Sequence, residues 1–545
     1  MADKHINPTL EPIFYFVAVS LDSIQRGFNA VPGSGVLVRY VKSSHQNDPF
    51  RTLLELCLFI FAVWTLVQSR TRADRGGKHF IRFSEQEIDE LVEEWTPEPL
   101  VSPLTEQEQM DLDSIPVVVG HPGPKPKLQS TGKTLTNLSS YNFAGLAGNE
   151  AIKQHAVKIL RKHGLGACGP PGFYGTVDVH IDLERNIAQF LGTEDAIIYS
   201  QGFSTISSVI PAFCKRGDII VADRGVNFAI HRGIQISRST VRWYDHNDMS
   251  SLEEVMNSVV KEMKKKKMPL ARRFIITEGI FENDGAMSDL PKLVELKEKF
   301  KYRLLLDESI SFGTMGRTGR GLTELYNVSA GNIDLIVGSL SNTLCGTGGF
   351  CAGSEVAVKH QRINGSAFVF SASMPPLLAT TASEGINILT STPSILTALH
   401  TNILAIRSVL NRLECVTIPS HPHSPIIHIC IRSPLDSSTS NRSLLSPDAA
   451  GPKIALERVS NPASLAPREP HYFDIPTEEK LLQDVVDECL SQGVLVTRAK
   501  RLRGQESLDP RPSLKICATA ALSKKDTEKA ANVLKNALSK VIGKR

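Results

Sequence analysis

The stretch FIITEGIFENDGAMSDLPKLVELKEKFKYRLLLDES (274–309) holds two short apolar runs, FIITE and RLLLDE, separated by a longer helical pattern, and each run closes on an acid. The rhythm continues on both sides, with AIIY (196–199) and DIIVAD (218–223) before it and DLIVGS (334–339) after it. Runs this short and this apolar, alternating with helices, predict an α/β body with a mostly parallel sheet covered by helices. Function is then expected at the C-terminal ends of the strands. After about residue 390 the pattern turns to long helices and weaker strands. A large domain at 136–390 and a smaller α+β domain at 391–545 are therefore expected. Residues 431–470 are rich in Ser, Pro and Ala and nearly free of aromatics. They cannot bury enough surface to offset ordering entropy, which predicts a disordered insertion in the smaller domain.

With 545 residues the chain exceeds the size that one core usually organises. A formal net charge of +4 and 41% hydrophobic residues describe a globular protein and give no nucleic-acid signal. The one basic tract, Lys264–Lys267, reads as a solvated loop or helix end. Nine cysteines, an odd number with no C-x-x-C pair, argue against a disulfide framework or a structural zinc site. No metal is expected, and the composition suits a reducing compartment.

Near the N-terminus, TLLELCLFIFAVWTLVQS (52–69) is bracketed by Arg51 and Arg70 and carries Glu55 as its single charge. As a helix it would be roughly 27 Å long, enough for a thin bilayer, with Glu55 within a turn of one end. One transmembrane helix is expected there. Arg70, Arg72, Arg75, Lys78 and Arg82 follow it, against Arg39, Lys42 and Arg51 before it, which favours a cytosolic C-terminal side. Residues 1–51 are then lumenal or interfacial. Residues 70–135 read as an amphipathic helix opened by a Ser84–Glu87 capping box, followed by a linker with Pro97, Pro99 and Pro103.

Several separated motifs then carry a resemblance. They are NFAGLAGN (142–149), GLGACGPPGFYGTVDVHIDLE (164–184), QGFSTISSV (201–209), EGIFENDGAMSDLP (278–291), LLLDESISFGTMGRTGRG (304–321), SLSNTLCGTGGF (339–350) and VFSASMPP (369–376). In this order and spacing they resemble the α-oxoamine synthases, fold-type-I enzymes that use pyridoxal 5'-phosphate to condense an amino acid with an acyl-CoA. Within that family the chain is similar to the first long-chain-base subunits of serine palmitoyltransferases.

The resemblance implies roles for particular positions. Thr205, with Ser204, stands at the helix N-terminus where the family holds its cofactor phosphate, a place suited to anions. Asp307 stands where the family pairs an aspartate with the pyridinium nitrogen. Cys168, Phe173 and Tyr174 fall in a segment that the family places at the dimer interface. Ser371 and Ser373 fall in a loop that reaches the partner's cofactor phosphate in homodimeric relatives.

The departures matter more. Six residues before Gly348–Gly349 the family carries the lysine that bonds to its cofactor, and here Asn342 stands instead. An amide nitrogen is not nucleophilic, so no covalent cofactor can form there. The family's ring-stacking histidine is Asn227 and the histidine of its D-E-A-H motif is Ile310. Lys515 replaces the arginine that clamps the substrate carboxylate, keeping charge but not bidentate geometry. Asn227, Asp307, Thr205 and Lys515 thus outline a vestigial cofactor pocket.

The expectation is a non-lysine subunit with no catalytic residue of its own, supporting a lysine-bearing second subunit that holds the pyridoxal 5'-phosphate covalently. By resemblance that complex condenses L-serine with palmitoyl-CoA to 3-ketosphinganine on the cytosolic face of the endoplasmic reticulum membrane. Orm-type regulators and a small activating subunit are implied at the span. Two rivals remain, a pure membrane scaffold and an autonomous pyridoxal-phosphate synthase.

Overall fold

The computed structural model describes residues 33–71, 83–97, 99–266, 271–432, 475–501, 504–508 and 510–543. They form two compact units, Met1–Gln109 and Met110–Arg545. In the first, helix α1 (Pro49–Thr71) exposes Leu53, Phe59, Ile60, Phe61 and Trp64, and Arg51 pairs with Glu55 at 3.0 Å. The expected span at 52–69 lies on α1, yet among the described residues no helix is long and apolar enough to cross a membrane. The side chains of residue 52 and of 67–71 lie outside the described residues.

Helix α2 (Glu85–Glu94) carries the capping box expected at its start. The Glu87 N–H donates to Ser84 Oγ at 3.3 Å, and the Ser84 N–H donates to Glu87 Oε2 at 2.7 Å. The proline-rich linker hides a second such box that the sequence reading passed over. Thr105 and Glu108 cap a short helix at Glu106–Asp113, with the Thr105 N–H donating to the Glu108 carboxylate at 2.8 Å. Of the expected insertion, everything from 433 on lies outside the described residues, while Ile431 closes a strand.

The second unit is built on a seven-stranded sheet. Its strands are β1 (Asp195–Tyr199), β2 (Ile219–Asp223), β3 (Thr240–Tyr244), β4 (Arg273–Glu278), β5 (Arg303–Asp307), β6 (Leu335–Ser339) and β7 (Gly349–Gly353), in the order β1-β7-β6-β5-β4-β2-β3. Strands β2 to β6 pair parallel, and β7 alone runs antiparallel to both its neighbours.

Alternation explains why the runs lack polar residues. Ile198, Val221, Ile275, Leu304, Leu306 and Ile336 enter one core, while Ile197, Ile220, Phe274, Ile276, Leu305 and Val337 enter another. Both faces are covered, so the central positions of these strands are apolar. The first of these cores also takes in Ile427, Leu482, Leu514 and Leu534. It thereby continues into a four-stranded antiparallel sheet of β8 (Val416–Thr417), β9 (Ile426–Ile431), β10 (Thr497–Arg498) and β11 (Leu514–Cys517).

Candidate active site

The parallel strands end together, and three of them, β2, β4 and β5, close on acids. Glu278 closes β4 and Asp307 closes β5, and the two are direct register partners, 2% and 3% exposed. Asn227, the N-cap of helix α5 (Phe228–Ser237), ties them together. Its N–H donates to Glu278 Oε1 at 2.6 Å, its amide donates to Asp307 Oδ2 at 3.2 Å, and its Oδ1 accepts from the Ile230 N–H at 3.1 Å. Asp307 Oδ1 accepts from the Ser309 N–H at 2.8 Å. Burial pushes both acids up, Glu278 well above the carboxylate range, with Asp307 beside it adding to the shift. No cation separates them among these contacts, and an amide stands where the family stacks a ring.

Asn342 follows β6 in the connection to β7. Its amide donates to Ser309 O at 2.9 Å, and its Oδ1 accepts from Ser341 Oγ at 3.1 Å. The group at the cofactor-bonding position is therefore a non-nucleophilic nitrogen already committed to a carbonyl. Asp307 matches the family, but Asn342 and Asn227 do not fit a covalently held pyridoxal phosphate.

Thr205 departs from its expected role. It is fully buried on helix α4 (Gly202–Phe213), donates to Gln201 O at 2.7 Å, and lies over Gly349, where a Cβ would stand 2.5 Å from its Oγ1. A hydroxyl turned back onto its own helix offers nothing to a phosphate. Ser204 is likewise engaged, with the Gln201 side chain at 3.1 Å.

Lys515 lies on β11 in a neighbouring cavity of about 260 Å³ lined by Tyr141, Glu282, Asn283, His428, Arg498 and Arg501 among others. Its ammonium is 3.1 Å from Glu282 Oε1 and 4.5 Å above the Tyr141 ring, and Tyr141 donates to the same carboxylate oxygen at 2.9 Å. Burial would raise Glu282, but Lys515 and Tyr141 hold it below the usual range. His428 is driven down to about 3 by burial and by Arg501 and Lys515, and so is neutral.

A second group lies at the surface. Cys168 is exposed with φ of 51°, Phe173 is 69% exposed and Tyr174 95%. The loop 369–374 joins this segment through Gly169, whose carbonyl accepts from the Ser373 N–H at 3.0 Å and from Ser373 Oγ at 3.1 Å. The two serines thus part company. Ser373 is buried and holds the loop, whereas Ser371 is exposed and has no partner among the described residues. Phe370 beside it is 87% exposed. Sequence reading missed Glu278, Ser309 and Phe370. The acid closing FIITE was a visible signal for the first, but pairing across strands carries no local signal.

A doubly covered, mostly parallel sheet with one reversed strand, and acids at its strand ends, defines the scaffold of a fold-type-I transferase. Comparison with known proteins agrees. The profile of the aminotransferase class I and II family matches residues 133–534. The chain is 44% identical over 374 residues to long chain base biosynthesis protein 1c of Oryza sativa subsp. japonica, covering 69% of this chain and 76% of that one. It is 36% identical over 556 residues to serine palmitoyltransferase 1 of Saccharomyces cerevisiae, covering 97% of each. A solved structure of serine palmitoyltransferase with a pyridoxal-phosphate internal aldimine matches at a TM-score of 0.65 and 19% identity, over 84% of this chain and 99% of that one. The chain belongs to the aminotransferase class I and II family, and within it to the group of long-chain-base proteins and first serine palmitoyltransferases.

Proposed function

We propose that this chain is the non-lysine subunit of a heteromeric serine palmitoyltransferase, which supports condensation of L-serine with palmitoyl-CoA to 3-ketosphinganine by a lysine-bearing partner. One observation carries the reading. Asn342 spends its amide on Ser309 O, while the 369–374 loop stays firmly built and presents Ser371 outward. A chain that has lost its own centre but keeps a rigid, outward-facing loop is organised to complete another chain's site. Pyridoxal 5'-phosphate, the group that stabilises carbanions in this family, belongs in this reading to the partner. Cys168, Phe173, Tyr174 and Ser371 then line the shared site. The segment 52–69 tethers the complex in the endoplasmic reticulum membrane as a single pass with the body cytosolic, and small activating and Orm-type subunits dock there.

Expressed alone, the chain is expected to give no borohydride-reducible adduct with pyridoxal phosphate and no ketosphinganine. Co-expressed with a homologous chain that has lysine at the aligned position, it is expected to co-purify with it, and both signals to appear. Product made by the isolated chain would defeat the proposal. Deleting 52–69 is expected to move the chain from the membrane pellet to the supernatant in cells lacking the partner, and an unchanged pellet fraction would remove the tether from the reading.

A further inference from the structure

Three contacts hold the 369–374 loop from behind. Ser200 Oγ donates to Ala372 O at 2.6 Å, Ser373 donates to Gly169 O, and His180 Nε2 meets Met374 O at 2.6 Å. The last of these has its chemistry fixed at both ends of the ring. His180 is 4% exposed in the first turn of helix α3 (Asp178–Leu191), and its Nδ1 accepts the Val177 N–H at 3.1 Å. A ring that accepts at Nδ1 must carry its proton on Nε2, so Nε2 donates to the Met374 carbonyl.

The Nδ1 bond alone would satisfy the helix start. The Nε2 bond does something further, because it joins α3 to a backbone 194 residues away in sequence. Met374 in turn lies against Gly348, where a Cβ would stand 2.6 Å from its Cε. The imidazole therefore spans from a helix N-terminus to the root of the loop, three residues past the exposed Ser371.

We infer that His180 is the positioning residue of this loop, and that its Nε2–H···O=C bond to Met374 sets the orientation in which Ser371 is offered to the partner's cofactor. The inference rests on the cross-subunit reading above and names what keeps the loop in register. Burial also lowers the basicity of the ring, which favours the neutral form that this donor–acceptor assignment requires.

Two substitutions separate the two bonds. In His180→Asn the amide oxygen can replace Nδ1 as acceptor for the Val177 N–H, but no donor reaches Met374. In His180→Gln the longer amide restores a donor to that carbonyl. Each variant is assembled with the lysine-bearing partner, stripped of cofactor, and titrated with pyridoxal 5'-phosphate by absorbance, beside Ser371→Ala.

His180→Asn is expected to assemble in full yield and bind the cofactor about tenfold more weakly, the worth of one hydrogen bond. His180→Gln is expected to bind within twofold of wild type. Wild-type cofactor affinity in His180→Asn would overturn the inference. So would losses of complex yield and thermal midpoint confined to His180→Gln, with affinity unchanged in both variants, since that is what a helix cap alone would give. The underlying reading is scored apart, because it fails when Ser371→Ala leaves cofactor affinity unaltered.

Discussion

His246→Gln is expected to destabilise the folded protein by about 3 kcal/mol at neutral pH, the cost of stripping the shared partner from a buried and a half-buried carboxylate. His246 lies 2.7 Å from Asp223 Oδ1 through Nδ1 and 3.0 Å from Asp284 Oδ2 through Nε2. Asp223 is completely buried, and its other contacts, the Gly225 and Asn247 N–H groups, are neutral donors at 2.7 Å. Burial alone would lower the imidazole, but the hydrogen bonds to both aspartates override it and hold the ring up to about 10. An unfolded histidine titrates near 6.5. With the folded value above the unfolded one, this stabilisation is complete below about pH 6.5 and is lost as pH rises through 10. Denaturant unfolding from pH 6 to 10.5 checks it. The gap between wild type and His246→Gln is expected to close steadily across that window, and a gap that stays constant would remove the imidazolium from the account.

Gly175→Ala is expected to give the second large loss, of about 2–4 kcal/mol, by the overpacking that makes single substitutions severe. A Cβ at Gly175 would overlap Ser373 Oγ and Gly169 O, and would stand 2.7 Å from Pro170 O. Ser373 could rotate, but the two carbonyls belong to the tight turn that Gly175 itself closes, donating its N–H to Pro170 O at 3.2 Å. The turn must open, and Gly169 O is then no longer in place to accept from Ser373. The expected result is a lowered thermal midpoint together with poor recovery of the heteromer. Gly172→Ala is the control, with positive φ of 81° but nothing within 4 Å of its Cβ, so it carries backbone strain of about 1 kcal/mol without a clash. Equal behaviour of the two variants would show that steric closure at Gly175 has no part in holding the loop.

Much of this was legible in the chain. Strands β1, β2, β4, β5 and β6 fall on the five apolar runs, because a strand buried on both faces has no room for polar residues. Asn342 could be read from its spacing to Gly348–Gly349, since the decisive property, a nitrogen without a free lone pair, is intrinsic to the residue. The orientation of hydroxyls could not be read. Thr205 and Ser373 both sit in the right motifs, yet each turns inward, because a hydroxyl's direction depends on which carbonyl the packed backbone brings near it. The union of Glu278 with Asp307, and of His246 with Asp223 and Asp284, joins groups on separate elements and leaves no periodic trace. The membrane segment was read from composition; the described fold shows it as a helix, but no described helix is long and apolar enough to span.

The reversed direction of β7 has a consequence for how such a chain can arise. Running against its neighbours, β7 begins at the same edge where β5 and β6 finish, so the residues from 340 to 348 are a short return confined to that edge. Whatever side chain occupies 342 is delivered there by the frame, and its neighbour Ser309 O accepts a proton donor of any kind. A single codon change can thus silence the chemistry while the architecture stands, leaving a duplicate copy free to specialise as a companion.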